Sequence, residues 1–153
     1  MKYSMLSESW AKYLGEAKRK EWDSSHVCLI KGKKVLLVQR AHDDHWMPGR
    51  WSFAGGQIDE GENLESALVR EVSEEVGLVV SKEDLHFLPA ISYKLKHALY
   101  CCIKSSGTFK INANGVKEHE DGKWVEVSKI KDYDTVPDVK KVVDETFKVM
   151  NLT

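Results

Sequence analysis

The sequence predicts an α+β fold in which helices pack on a mixed β-sheet. Three observations carry this. Apolar runs at residues 26–30 and 35–40 flank a polar KGKK turn and read as a β-hairpin. One helical pattern, residues 63–76, lies between strand-like regions and ends at Gly77. More strand candidates follow without regular strand–helix alternation, and a terminal helix closes the chain.

Taken in order, residues 1–22 form an N-terminal extension with one short helix, Trp10 and Leu14 packing inward; Gly15 and the KRK run weaken that helix. Residues 23–153 form the single domain that 153 residues allow. After the hairpin, residues 41–50 are polar, contain Pro48-Gly49 and read as a loop. Residues 51–53 resume extended structure, and Gly55, Gly56 and Gly61 punctuate the approach to the helix. Residues 85–93 are expected to be extended and broken at Pro89. Residues 98–103, 107–111 and 123–127 are the remaining strand candidates, and residues 136–149 form a helix with Pro137 at its start.

Composition narrows the function. The 23 Lys+Arg nearly balance the 24 Asp+Glu, so the net charge of -1 makes no global case for a duplex nucleic-acid binder. Cys28, Cys101 and Cys102 lack zinc or redox spacing and sit in apolar runs, which predicts buried thiols in a reducing compartment. No secretory apolar region follows Met1 and no apolar run approaches membrane-span length, so a cytoplasmic location without membrane partners is expected.

The chemistry lies on the central helix. Glu71, Glu74 and Glu75 stand at i, i+3 and i+4, continuing the face that begins with Leu64, Ala67 and Leu68. Like charges repel there, and the helix dipole disfavours them near its C-terminal end. Arg70 reaches Glu74 at i+4 but cannot neutralise all three. Hard oxygen ligands so grouped suit Mg²⁺ or Mn²⁺; a solvated acidic helix end is the competing reading. Gly55-Gly56 permits close chain approach, and Asp59, Glu60 and Glu62 add oxygens upstream. Neither a phosphate-loop nor a dinucleotide fingerprint is present.

The segment 56–78, GQIDEGENLESALVREVSEEVGL, resembles the Nudix hydrolase signature. Gly56, Glu62, Arg70, Glu71, Val72, Glu74, Glu75, Gly77 and Leu78 fill its fixed positions. The resemblance implies an α/β/α sandwich around a mixed sheet and hydrolysis of a nucleoside diphosphate derivative or nucleoside triphosphate with Mg²⁺ or Mn²⁺. It implies that Glu71, Glu74 and Glu75 are catalytic and metal-binding acids, that Arg70 braces the loop by pairing with Glu62, and that the Gly55 carbonyl lies near the metal. Glu118, ahead of Trp124, matches a further acid from a later loop; His119 is a neighbouring candidate base or substrate contact, with an ordinary exposed loop histidine as the competing reading. Glu74 and Glu118 both remain candidates to take the proton of the attacking water. Ala54 departs from the family's usual proline and Asp59 stands in the acidic loop position, changes expected to soften the loop modestly.

Arg40, Arg50 and Lys34 are candidate phosphate contacts, and Trp46, Trp51, Phe53 and Tyr93 candidate stacking surfaces, although Trp51-Ser52-Phe53 alternates like a strand and one of its two rings is expected in the core. Trp124 reads as core. The expected partner is a nucleotide; nucleic acid is less favoured and a homodimer is allowed. An RNA-end or cap pyrophosphohydrolase and a nucleotide-sensing module with little turnover are the alternatives.

Overall fold

In the computed structural model, Trp22 and residues 24–153 are described. The helix expected around Trp10 and Leu14 lies outside the described residues. Strands β1 (Ser24–Lys31) and β2 (Lys34–Arg40) form the expected hairpin, pairing Ile30 with Val35 across Gly32, whose φ of 61° suits the turn. β1 is the hub of the sheet. Its first half pairs antiparallel with β4 (Ala54–Gln57), and its other edge pairs parallel with β7 (Ala98–Cys102). β2 is flanked by β3 (Trp51–Ser52) and the longer β9 (His119–Glu126); β6 (His86–Phe87) extends β7. The sheet is therefore mixed, as expected. β5 (Leu78–Val79) and β8 (Ser106–Gly107) form a separate two-stranded ribbon.

Both faces of the sheet are covered, which is why residues 27–30 of β1 and 35–38 of β2 are continuously apolar. Val27, Leu29, Leu36 and Val38 pack under α1 (Leu64–Val76) with Leu64, Leu68, Val72 and Val76. Cys28, Ile30, Val35 and Leu37 pack on the opposite face, with Ile91 of α2 (Pro89–Leu95) and Val139, Val142 and Val143 of α3 (Val139–Val149). The result is an α/β/α sandwich. The three cysteines are buried and free. Among the described residues no helix is long and apolar enough to cross a membrane.

Three expectations need correction. Residues 89–95 are helical, because Pro89 occupies the first turn, where its missing N–H costs nothing. Beyond Gly107, residues 108–111 are not a strand; Lys110 and Asn112 bond the end of α1 instead. Pro137 precedes the last helix, which begins after Asp138 in a left-handed conformation (φ 72°).

Candidate active site

Helix α1 is defined at both ends. Asn63 Oδ1 accepts from Ser66 N at 2.8 Å, capping the first turn. Gly77, at φ 72°, closes the last turn with its N–H to Ser73 O. The carbonyls of Glu74, Glu75 and Val76 accept from the N–H groups of Asn114, Asn112 and Lys110, at 2.9, 2.7 and 2.9 Å. A segment more than thirty residues downstream thus satisfies the orphan carbonyls of the acid-bearing helix.

The two glycines of β4 let the chain lie against that helix. A Cβ on Gly55 would sit 2.2 Å from Ser25 O, and one on Gly56 2.8 Å from Glu71 Cδ. With no side chain in the way, Gly55 N donates to Glu75 Oε2 at 2.9 Å. The contact seen is thus the Gly55 N–H to a carboxylate.

The acids divide into two environments. Arg70 gathers one set: it forks to Glu62 through Nε and Nη2 (2.9 and 3.0 Å), and reaches Glu71 Oε1 and Glu74 Oε2 from Nη1 (3.1 Å each). The expected Arg70–Glu62 brace is present, and the guanidinium holds the Glu62 carboxyl below its usual range. Asp59 is a weaker partner of Arg70 at 3.4 Å. Glu74, 39% exposed, belongs to this set and faces outward.

Glu75 belongs to the other set. Its side chain is only 4% exposed, and burial, opposed by the Gly55 N–H but reinforced by the charges of Glu71, Glu118 and Glu74, pushes its carboxyl up to about 9. Burial also raises Glu71, which is 14% exposed. His119 Nε2 lies 3.5 Å from Glu75 Oε1. His119 is not the exposed loop histidine its polar surroundings suggest: it is 12% exposed, and burial, then the nearby Arg40 charge, lowers it to about 4. Its Nδ1 is the buried side-chain polar atom without a hydrogen-bond partner among the described residues.

Glu75, Glu118 and His119 each offer a ligand atom, and these atoms lie within 4.8 Å of one another. Two carboxylates and a neutral imidazole, with Glu71 alongside, fit a divalent cation. The ion would supply the positive charge that a buried Glu75 lacks.

The remaining candidates scatter. Arg40 pairs with His119 across β2 and β9, bonds Asp44 at 2.7 Å and Trp46 O at 2.8 Å, and stacks on the Trp46 ring at 4.8 Å. Trp46 is 46% exposed beside it. Arg50 faces Asp134 at 3.7 Å. Tyr93 packs on Trp22, with ring centroids 5.1 Å apart. Phe53, 7% exposed, and Trp51 are both core side chains in the cluster that α3 closes, where one of the two was expected to stay available for stacking; Trp124 packs against the core as expected. Lys34 lies at the far end of β2, opposite Glu126, and does not approach the acids. Sequence reasoning missed Asn112, which bonds both to α1 and to the Glu118–His119 backbone. The turn signal Asn114-Gly115 beside it was the available clue.

A NUDIX domain model matches residues 22–146. Nucleoside triphosphatase NudI of Escherichia coli is 29% identical over 124 residues, with 71% of this chain and 85% of that protein covered. An RNA pyrophosphohydrolase of Actinobacillus pleuropneumoniae is 51% identical over 73 residues, 48% of this chain and 32% of its own length. The NUDIX domain of Shewanella oneidensis NrtR, solved with ADP ribose, superposes with a TM-score of 0.66 at 22% identity, covering 92% of this chain and 97% of that one, a likeness of fold.

Proposed function

The chain belongs to the Nudix hydrolase family, whose reaction is metal-assisted hydrolysis of a nucleotide phosphoanhydride bond, and on that premise we propose that it acts on a nucleoside triphosphate using Mg²⁺ or Mn²⁺. One observation carries the reading: the buried Glu75 carboxylate, held by Gly55 and converging with Glu118 and His119. The similarity to a nucleoside triphosphatase across most of that relative's length supports the substrate class.

Glu71, Glu75 and Glu118 would hold the cation, with His119 completing the set; when bound, it would neutralise phosphate charge and polarise the phosphorus centre. Arg70 keeps the loop and helix together through its fork to Glu62. Glu118 takes the proton of the attacking water in this reading. Glu74 is the weaker candidate, because its Oε2 already accepts from Arg70. In this reading Arg40, held by Asp44 and stacked on Trp46, would contact the phosphates, and the exposed Trp46 ring would stack the base. A panel of nucleotides assayed with Mg²⁺, Mn²⁺ and EDTA, with products identified, tests this. Turnover indifferent to EDTA, or absent on every triphosphate, refutes it.

A second reading, hydrolysis at an RNA 5′ end, is favoured by one feature. A cleft of about 660 Å³ at the hairpin end of the sheet is lined by Lys31, Lys33, Lys34, Lys131 and Lys140 against one acid, Glu126. Only Lys140 of these has a carboxylate within ion-pair distance among the described residues. The short, strong identity to an RNA pyrophosphohydrolase points the same way. RNA affinity that falls steeply with salt and is lost on Lys33→Glu with Lys131→Glu would favour it; unchanged affinity would remove it.

A further inference from the structure

The cation-site residues come from two parts of the chain. Glu71 and Glu75 lie on α1, whereas Glu118 and His119 lie at and just before the start of β9. Something must fix one against the other to within a few tenths of an ångström, because a ligand set works only when its members are held in place before the ion arrives. We infer that Asn112 is the positioning residue that does this.

Every polar group of Asn112 is engaged. Its backbone N donates to Glu75 O at 2.7 Å, fixing the residue to the end of the acid-bearing helix. Its side-chain Oδ1 accepts from Glu118 N at 3.0 Å and from His119 N at 3.1 Å. Its Nδ2 donates to His119 O at 2.9 Å. Its own carbonyl accepts from Gly115 N at 2.9 Å, closing the turn. Two N–H groups require an oxygen and one carbonyl requires an NH₂, so the pattern accepts a carboxamide in one orientation. Aspartate satisfies the two N–H groups but has no donor for His119 O. The backbone adds a second restriction: φ is 54°, a conformation costly for most side chains and readily adopted by asparagine and glycine.

The consequence is a rigid path from Glu75 O, through Asn112, to the main chain of Glu118 and His119. Glu118 precedes β9 and has no ladder partner of its own. His119 is the last β9 residue paired with β2, at Arg40, beyond a register shift. Without the carboxamide, that stretch keeps its sequence but loses its tie to α1, and the carboxylate and imidazole no longer meet Glu75.

The inference rests on the cation reading of this site, and its test separates the two. Asn112→Gly keeps the turn conformation and removes only the side chain; Asn112→Asp keeps both acceptor bonds. Three measurements are made on the full chain: amide hydrogen exchange without metal, Mn²⁺ affinity by electron paramagnetic resonance without nucleotide, and kcat. Asn112→Gly speeds exchange at Glu118 and His119 while α1 core amides keep their protection, and Asn112→Asp retains that protection. Asn112→Gly weakens Mn²⁺ binding roughly tenfold and lowers kcat by a similar factor, the scale typical of residues that orient metal ligands. In a protein already carrying Glu118→Gln and His119→Ala, Asn112→Gly weakens Mn²⁺ no further. Unchanged exchange at Glu118 and His119, wild-type Mn²⁺ affinity in Asn112→Gly, or an equal loss in the Glu118/His119 background each overturns it. Wild-type protein that binds no Mn²⁺ overturns the cation reading and the role toward the ion together; exchange then reports the clip alone.

Discussion

Helices α1 and α3 cover opposite faces of one sheet and start from the same pattern. In α3 the buried stripe is Val139, Val142, Val143 and Thr146, and the one polar group in it is satisfied, Thr146 Oγ1 donating to Val142 O at 2.9 Å and sharing side-chain hydrogen bonds with the Cys28 and Cys101 thiols of the sheet. In α1 the stripe begins Leu64, Ala67 and Leu68, but its continuation is Glu71 and Glu75, with Val72 and Val76 beside them. The first helix thus buries a carboxyl group close to its C-terminal end, against both desolvation and dipole, where the second buries a hydroxyl with its partners in place. Local rules are obeyed where the helix only packs and broken where it carries the candidate site.

The sharpest way to break this comparison is Glu75→Gln. The change keeps volume and removes the charge, so the fold should hold while turnover falls on the order of a hundredfold or more. Steady-state kinetics in saturating Mn²⁺ checks it, and near-normal kcat would reduce α1 to a packing helix like α3.

Arg70→Lys comes next. Arg70 reaches Glu62, Glu71, Glu74 and the Gln57 carbonyl with one planar group, and an ammonium cannot reproduce the fork to Glu62. Activity should drop about tenfold, as for residues that orient ligands. Calorimetric melting should fall by a few degrees, about 2–4 °C per kcal/mol for a chain of this size.

The third prediction uses pH. Glu75 rises from an ordinary 4.5 to about 9, so the metal-free native state holds a proton that the unfolded chain releases. That contribution is complete below about 4.5 and is lost as pH climbs toward 9. His119, lowered from 6.5 to about 4, acts with the opposite sign, its contribution present above 6.5 and lost as pH falls toward 4. The two oppose each other between 4.5 and 6.5, leaving a net fall in stability from 6.5 to about 9. Denaturant melts in EDTA should show that fall in wild type and its absence in Glu75→Gln, which would then be the more stable protein near pH 8. A flat wild-type profile would mean that Glu75 is charged in the free protein.

How much of this was legible in the sequence depended on how local the cause was. Helix α1, its end at Gly77 and the β1–β2 hairpin follow from period and turn residues alone. The Arg70–Glu62 pair lies within one loop and helix, and the family resemblance pointed to it. The misreadings came from tertiary competition. Residues 108–111 alternate like a strand, but the unsatisfied carbonyls of α1 drew Lys110 and Asn112 away from a ladder. The burial of His119 was invisible because its sequence neighbours Glu118, Glu120 and Asp121 are polar, and the groups that enclose it, β2, α1 and Asn112, are distant in sequence or fixed by tertiary contacts. Strand alternation placed only one of Phe53 and Trp51 in the core, yet the face both point to is the one α3 closes.

The smallest expected effect belongs to α3. Thr146→Val keeps the shape, removes the hydroxyl and leaves the Val142 carbonyl with its intrahelical partner, Thr146 N. The buried donor and its need for an acceptor disappear together, and only the weakly polar Cys28 and Cys101 thiols lose a partner, so the cost should be about 1 kcal/mol or less. Turnover and Mn²⁺ affinity should be unchanged. The contrast with Glu75→Gln is the point: each replaces the most deeply buried polar side chain of its helix by a near-isostere. A measurable loss of kcat in Thr146→Val would show that the α3 face is coupled to the site, and the division of labour between the two helices would fail.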